Sequence, residues 1–196
     1  MAGLGYTIFD TSVGRCAIAW GAAGIAAVQL PEARELETRR RLLRHHPDAR
    51  EWRPPVDVQY AIDGIVTLLR GRAVDLSHVV LDTEGISEFE CRVYRAICKI
   101  PRGETRTYAE IATDLRMSGA VNAVSQAATR NPFAVLVPCH RALVAAGQVS
   151  GFAGRGGIVT KSRLLSIEGA LSGNEKGWTD ERAHTVGLQL TITEIE

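Results

Sequence analysis

Residues 133–144, FAVLVPCHRALV, interrupt an apolar run with a proline and then Cys139-His140-Arg141. A cysteine attacks as its thiolate, so a useful one needs a nearby base or a cationic environment to lower its pKa. His140 and Arg141 are residue types that are costly to bury without a task. Adjacency in sequence is not contact in space, however, and a free cysteine is commonly an inert small hydrophobe. The residues alone therefore leave nucleophile and structural cysteine both open. The other thiols, Cys16, Cys91 and Cys98, make no C-x-x-C and no close Cys/His cluster, so no metal site is expected. Cys91 and Cys98 stand seven apart in an expected helix and read as core residues, reduced like the rest.

The elements that must position Cys139 fall into two halves. YTIF (6–9), RCAIAW (15–20) and GIAAVQL (24–30), separated by glycine-bearing turns, predict a meander of short strands. A charged helix follows from Glu32 to Arg44, Pro54-Pro55 breaks it off, and a short helix is expected near 57–70. The valines and leucines of GRAVDLSHVVLD predict one more strand, and GISE at 85–88 marks a domain boundary. Beyond it, Ser87-x-x-Glu90 and Thr107-x-x-Glu110 are capping-box signatures ahead of apolar positions at helix spacing. A third helix runs from Gly119 to Thr129 and stops at Asn131-Pro132. Three short helices with a turn around Met117-Ser118-Gly119 read as a helix-turn-helix.

The chain has 196 residues, 45% of them hydrophobic and 23% charged, an ordinary globular composition. It contains no apolar run of the roughly 20 residues that span a bilayer, and MAGLGYTIFD lacks the marks of a secretory signal; a cytoplasmic protein without membrane contact is expected. A formal net charge of +1 hides an asymmetry, because residues 91–163 carry +8 and the remainder −7. Such a segment hints at nucleic acid, although a basic face is also a common solvated surface. In the third helix Asn122, Ser125, Gln126 and Thr129 share one polar, uncharged face, with Val121, Val124 and Ala128 opposite. Small side chains, amides and hydroxyls suit close contact with phosphates and base edges, and an ordinary surface helix would read the same way.

NPFAVLVPCHRAL, the glycine-rich GFAGRGG, KSRLLSIEGA and RGETRTYAEIA together closely resemble the active-site region of the O6-alkylguanine-DNA alkyltransferases, the methylated-DNA–protein-cysteine methyltransferases. The resemblance runs from about Phe89 through Ala170; the N-terminal half matches only in its general pattern. It implies an α+β protein: a small antiparallel-sheet, RNase H-like domain over 1–84, a winged helix-turn-helix-like DNA-binding and acceptor domain over 85–170, and a tail, 171–196, without assigned role. The implied activity is single-turnover, cofactor-free repair, in which Cys139 takes and keeps an alkyl group from O6 of guanine, with O4 of thymine as a second target, in double-stranded DNA. By the same resemblance His140 is the base acting through a water, Glu168 orients it, and Tyr108 helps turn the nucleotide out and protonates the leaving guanine. Asn131, Val137, Pro138, Phe152, Ala153 and Gly154 support or line the base pocket. Asn122, Ser125, Gln126, Thr129, Arg130 and Arg141 face DNA, with the third helix along the minor groove of a duplex whose target base is flipped out. A monomer is expected.

Two departures stand out. Where the family's third helix usually carries an arginine that enters the base stack, in a stretch like R-A-V-G, this chain has Asn122-Ala123-Val124-Ser125. Where relatives often show tyrosine and then serine or arginine before the glycines, it has Phe152-Ala153, with Arg155 in a local insertion. The arginine's loss keeps a second reading open, an alkyl-lesion sensor with weak or no transfer, although sensors of that type replace the cysteine. A cysteine hydrolase using Cys139, His140 and Glu168 would require turnover, which a stable thioether forbids.

Overall fold

The computed structural model describes residues 3–148 and 157–170, and the chain in it divides into two compact units. The first comprises residues up to Cys91 together with Asn131–Pro138, and the second comprises Arg92–Arg130 and the chain from Cys139 onward.

In the first unit β1 (Gly5–Thr11), β2 (Gly14–Gly21) and β3 (Gly24–Gln29) form the expected antiparallel meander. A two-residue strand, β4 (Arg50–Glu51), joins β1 in parallel, giving the order β3-β2-β1-β4. Helix α1 (Glu35–His45) packs on β2 and β3, and α2 (Val56–Leu69) on β1. The strands turn small residues toward α1. Ala17, Ala19, Ala26 and Ala27 cluster with Tyr6, Leu42 and Ala49, so the helix comes close without leaving voids. The stretch GRAVDLSHVVLD does not form a regular strand. It meets β3 only where Ile25 N–H donates to Val80 O (2.9 Å) and Asp82 N–H to Ile25 O (2.8 Å). Most of its side chains are exposed, Val80 by 66%, so no buried face holds a ladder in place. Gly24, with φ +128°, lets Val80 O come within 2.5 Å of where a Cβ would stand.

Residues 131–138 belong to this unit because Val28 N–H donates to Pro132 O (2.8 Å) and Val28 bridges Phe133, which is fully buried. The segment closes on itself: Val137 N–H donates to Phe133 O (2.8 Å), Asn131 Nδ2 donates to Val137 O (3.0 Å), and Phe133 N–H donates to Asn131 Oδ1 (2.9 Å). Within it, buried Val135 has φ +72°, a left-handed conformation that costs a β-branched residue about 1–3 kcal/mol. The Asn131 side chain supplies the bonds that hold the chain there.

The run of helices belongs to the second unit, apart from the first turn of α3 (Glu88–Cys98), which lies in the first. Helix α3 starts at a capping box in which Glu90 N–H donates to Ser87 Oγ and Ser87 N–H to Glu90 Oε2. A two-residue strand β5 (Arg106–Thr107) leads into α4 (Tyr108–Asp114), capped reciprocally by Thr107 and Glu110. After Arg116, whose φ of +58° turns the chain, a 3-10 turn over Ser118–Ala120 enters α5 (Val121–Arg130). Val124, Ala127 and Ala128 are the buried side of α5, which packs on α4, and Tyr94 of α3 donates its hydroxyl hydrogen to Ala127 O (3.3 Å). Strand β6 (Ala142–Leu143) and α6 (Gly157–Glu168) complete the unit. Among the described residues no helix is long and apolar enough to cross a membrane.

Candidate active site

Cys139, His140 and Arg141 make one 3-10 turn that runs straight into β6. β6 lies parallel to β5, with Arg106 opposite Ala142 and Thr107 opposite Leu143. Thr107 is also the N-cap of α4, so this short pairing fixes Tyr108, the first residue of that helix and only 4% exposed, relative to the cysteine turn. Helix α6 packs on the same turn and supplies Lys161 and Glu168, seven residues apart and hence on one face.

Glu168 is the hub. Arg141 grips it with two parallel bonds, Nε to Oε2 at 2.8 Å and Nη2 to Oε1 at 2.7 Å, while Arg141 Nη1 donates to Ile100 O at 2.7 Å. His140 Nε2 stands 3.1 Å from Glu168 Oε1. This contact lacks the alignment of a hydrogen bond, and neither ring nitrogen has an aligned partner among the described residues. On the other side, buried Lys161 Nζ donates to Ala142 O at 2.6 Å and lies 5.8 Å from the centroid of the Tyr108 ring.

The charge states follow from these surroundings. Burial opposes ionisation of Glu168, but the hydrogen bonds from Arg141 and the proximity of His140 outweigh it and bring the carboxyl down to about 2. Burial drives the His140 pKa below its ordinary value; Glu168 works against that, and the charges of Arg141 and Lys161 reinforce it. The imidazole is therefore neutral at neutral pH and able to accept a proton. Burial likewise lowers Lys161, to about 8, opposed by its interaction with Cys139. A buried, 3%-exposed cysteine thus shares its surroundings with a neutral base, a fixed carboxylate and a cation within electrostatic reach. That set suits generation of a thiolate away from bulk water and its attack on an electrophilic carbon.

The structure brings together Cys139, His140, Glu168 and Tyr108 in the second unit. Arg141 is there as well: its guanidinium, 12% exposed, is spent on Glu168 and Ile100 rather than turned outward with the residues expected to face DNA. On α5, Asn122, Gln126, Thr129 and Arg130 are exposed and Ser125 half-buried, while the Thr129 hydroxyl bonds back to Ser125 O (2.9 Å). Asn131, Val137 and Pro138 lie in the closed turn of the first unit just before Cys139. Phe152, Ala153, Gly154 and Arg155 lie outside the described residues. Sequence reasoning counted Lys161 only as one more positive charge. Its signal was available: a lysine seven residues before Glu168, flanking the buried pair Leu164 and Leu165.

A family model described as the DNA-binding domain of 6-O-methylguanine DNA methyltransferase matches residues 88–170, which include every described site residue of the second unit. Over 152 residues, 78% of either chain, the sequence is 34% identical to the methylated-DNA–protein-cysteine methyltransferase of Methanothermobacter thermautotrophicus. The chain belongs to the methylated-DNA–protein-cysteine methyltransferase family. Among solved members, the Mycobacterium tuberculosis O6-methylguanine methyltransferase superposes with a TM-score of 0.68 at 31% identity, over 88% of this chain and 96% of that one. The M. tuberculosis protein solved in complex with DNA gives 0.66 at 29% identity, over 85% and 93%. The expected α+β class, with a small N-terminal sheet and a helical C-terminal part, is the methyltransferase fold seen in these relatives.

Proposed function

We propose that this methyltransferase repairs duplex DNA by moving an alkyl group from O6 of guanine to Sγ of Cys139, once per molecule and as a monomer. The observation that carries this reading is a buried cysteine in one turn with His140, with Lys161 in electrostatic reach of the thiol and Glu168 3.1 Å from the His140 ring. Two independent supports are the family membership and a DNA-bound relative.

The Cys139 thiol gives its proton, through one water, to the ring nitrogen of His140 that does not face Glu168. The imidazolium formed is held by a carboxylate that Arg141 has already fixed, so little reorganisation accompanies the transfer. Lys161 supports the negative charge on sulfur. The thiolate then attacks the alkyl carbon, the C–S bond forms as the C–O bond breaks, and the electron pair leaves on guanine, which takes a proton from the Tyr108 hydroxyl. The product is a neutral thioether, which is why the reaction ends there.

The target atom lies within the base stack, so the nucleotide must be turned out, at a cost of a few kcal/mol. Helices α4 and α5 act as a helix-turn-helix, with Asn122, Gln126 and Arg130 directed at the minor groove and Ser125 and Thr129 close enough for backbone approach. Asn131 closes the turn over 131–137 that leads the chain into Cys139. Arg141 is a positioning residue for Glu168 rather than a DNA contact.

The test is incubation with a duplex containing O6-methylguanine, followed by intact and peptide mass measurement. One methyl on the Cys139 peptide with stoichiometric loss of the lesion is expected. Unmodified protein that stays bound to the lesion would make the chain a sensor instead, and turnover beyond one equivalent would make it a hydrolase.

A further inference from the structure

Helix α3 carries Arg92 and Arg95, and Lys99 follows immediately after its last residue, at spacings of three and four residues. Like charges so placed oppose one another by a few tenths of a kcal/mol per pair, while the helix dipole favours cations in the last turn, so local stability does not decide the arrangement. Helix α1 carries four arginines, of which Arg39 pairs with Glu35 and Glu51, and Arg41 with Glu32. Among the described residues no carboxylate pairs with Arg95 or Lys99.

These side chains rim a groove of about 290 Å3 between α3 and α4. Arg106 adds a fourth cation, and the single acid in the lining, Asp114, is 3.6 Å from it. Arg92 is braced by donating to Leu115 O at the end of α4 (3.1 Å). The floor is apolar, chiefly Ile111 and Leu115. A cationic rim over an apolar floor fits an anion that carries a hydrocarbon body, and the groove has room for a backbone phosphate and its sugar. None of its residues belongs to α5; Ile100, in its lining, also accepts a hydrogen bond from Arg141 through its carbonyl.

We infer that the α3–α4 groove is a second DNA-backbone contact, separate from the α5 face, which seats a phosphodiester of duplex flanking the lesion. The inference rests on the repair reading above. Phosphate contacts position without reading sequence, so this groove adds affinity and salt sensitivity but no base preference.

The test is binding of the full chain to a lesion-free duplex of about 30 base pairs by fluorescence anisotropy, between about 50 and 200 mM salt, where each phosphate contact contributes a slope of about 0.9 in log K against log salt. Arg95→Gln with Lys99→Gln should flatten that slope by about 1–2. The pair Arg53→Gln with Arg70→Gln, exposed arginines of the first unit and an equal loss of charge, should leave it as it was. Transfer from O6-alkylguanine supplied as the free base should proceed at the parent rate in both, which reports an intact site. An unchanged slope in the groove variant, or an equal flattening in the control, overturns the second contact while leaving the repair reading in place. Failure of the parent protein to bind duplex at all would remove both.

Discussion

Cys16 and Cys139 are both almost wholly buried, at 0% and 3% exposure, yet the molecule treats them in opposite ways. Cys16 sits in β2 among alanines and isoleucine, with one weak polar neighbour, Thr11 Oγ1, at 3.7 Å. Burial pushes its thiol up to about 11, so it stays protonated and unreactive. Cys139 sits in a turn whose next residue is a neutral histidine and whose packing helix brings up a lysine and a glutamate. Burial by itself silences a thiol. On the proposed reading, burial beside a base and a cation prepares one, and the same exclusion of water that suppresses Cys16 strengthens every charge acting on Cys139.

The sharpest way to break this contrast is to exchange the nucleophilicity of the two sites. Cys139→Ser should abolish alkyl transfer, read as no mass increase after incubation with lesion duplex, whereas Cys16→Ser should transfer fully per folded molecule and lose only about 1–3 kcal/mol of stability from its buried hydroxyl. Transfer in the first variant or its absence in folded samples of the second would erase the distinction. Next in size is the base: His140→Ala should slow transfer by about 10²–10⁴-fold under single-turnover conditions, the usual worth of a positioned base.

Lys161→Met tests the cation. With O6-alkylguanine as the free base, so that DNA binding plays no part, the parent rate should fall with decreasing pH as His140 becomes protonated, below its ordinary value of 6.5, and fall again above about 8 as Lys161 loses its charge. The Met variant should be slower by about tenfold or more, as for loss of roughly 1.4 kcal/mol of transition-state stabilisation, and should lack the alkaline fall. Keeping that fall would assign it to another group. Glu168 governs stability in acid: its carboxyl ionises near 2 in the folded chain against an ordinary 4.5, so its contribution is complete above the ordinary value and disappears as pH drops toward 2. Denaturation midpoints of Glu168→Gln should therefore vary less than the parent's over that window. The smallest effect belongs to α5. Asn122→Arg should raise the rate on lesion duplex several-fold at most and leave the free-base rate unchanged, which separates delivery of the base from the chemistry done on it.

What could be read in the sequence follows the same division. Both capping boxes, at Ser87 and Thr107, are visible because each is a local pattern that needs only three residues of neighbourhood, and the meander shows because alternation and glycine turns are local too. The two-residue strands β4, β5 and β6 are too short to show any period, and the parallel pairings of β4 with β1 and of β5 with β6 join residues more than thirty positions apart. The stretch 71–82 has the composition of a strand without a buried face to hold one. At the site, Cys139 and His140 were legible as chemistry, while Arg141 and Lys161 were legible only as charge. Sequence shows a cation but not its partner, and it is the partner that makes Arg141 a clamp on Glu168 and Lys161 a neighbour of the thiol.

The chain leaves α5, spends eight residues in the company of β3, and returns at the bond between Pro138 and Cys139. The family model matched from residue 88 onward looks like a detachable module, but this excursion means that it is not one. A shortened version beginning at α3 would keep Cys139, His140, Lys161 and Glu168 and lose the strand that pairs with Pro132 and Phe133. For anyone recombining such proteins by swapping halves, the seam to respect runs through Val28, far from the cysteine in sequence and joined to its leading segment by the backbone bridge to Pro132 and Phe133.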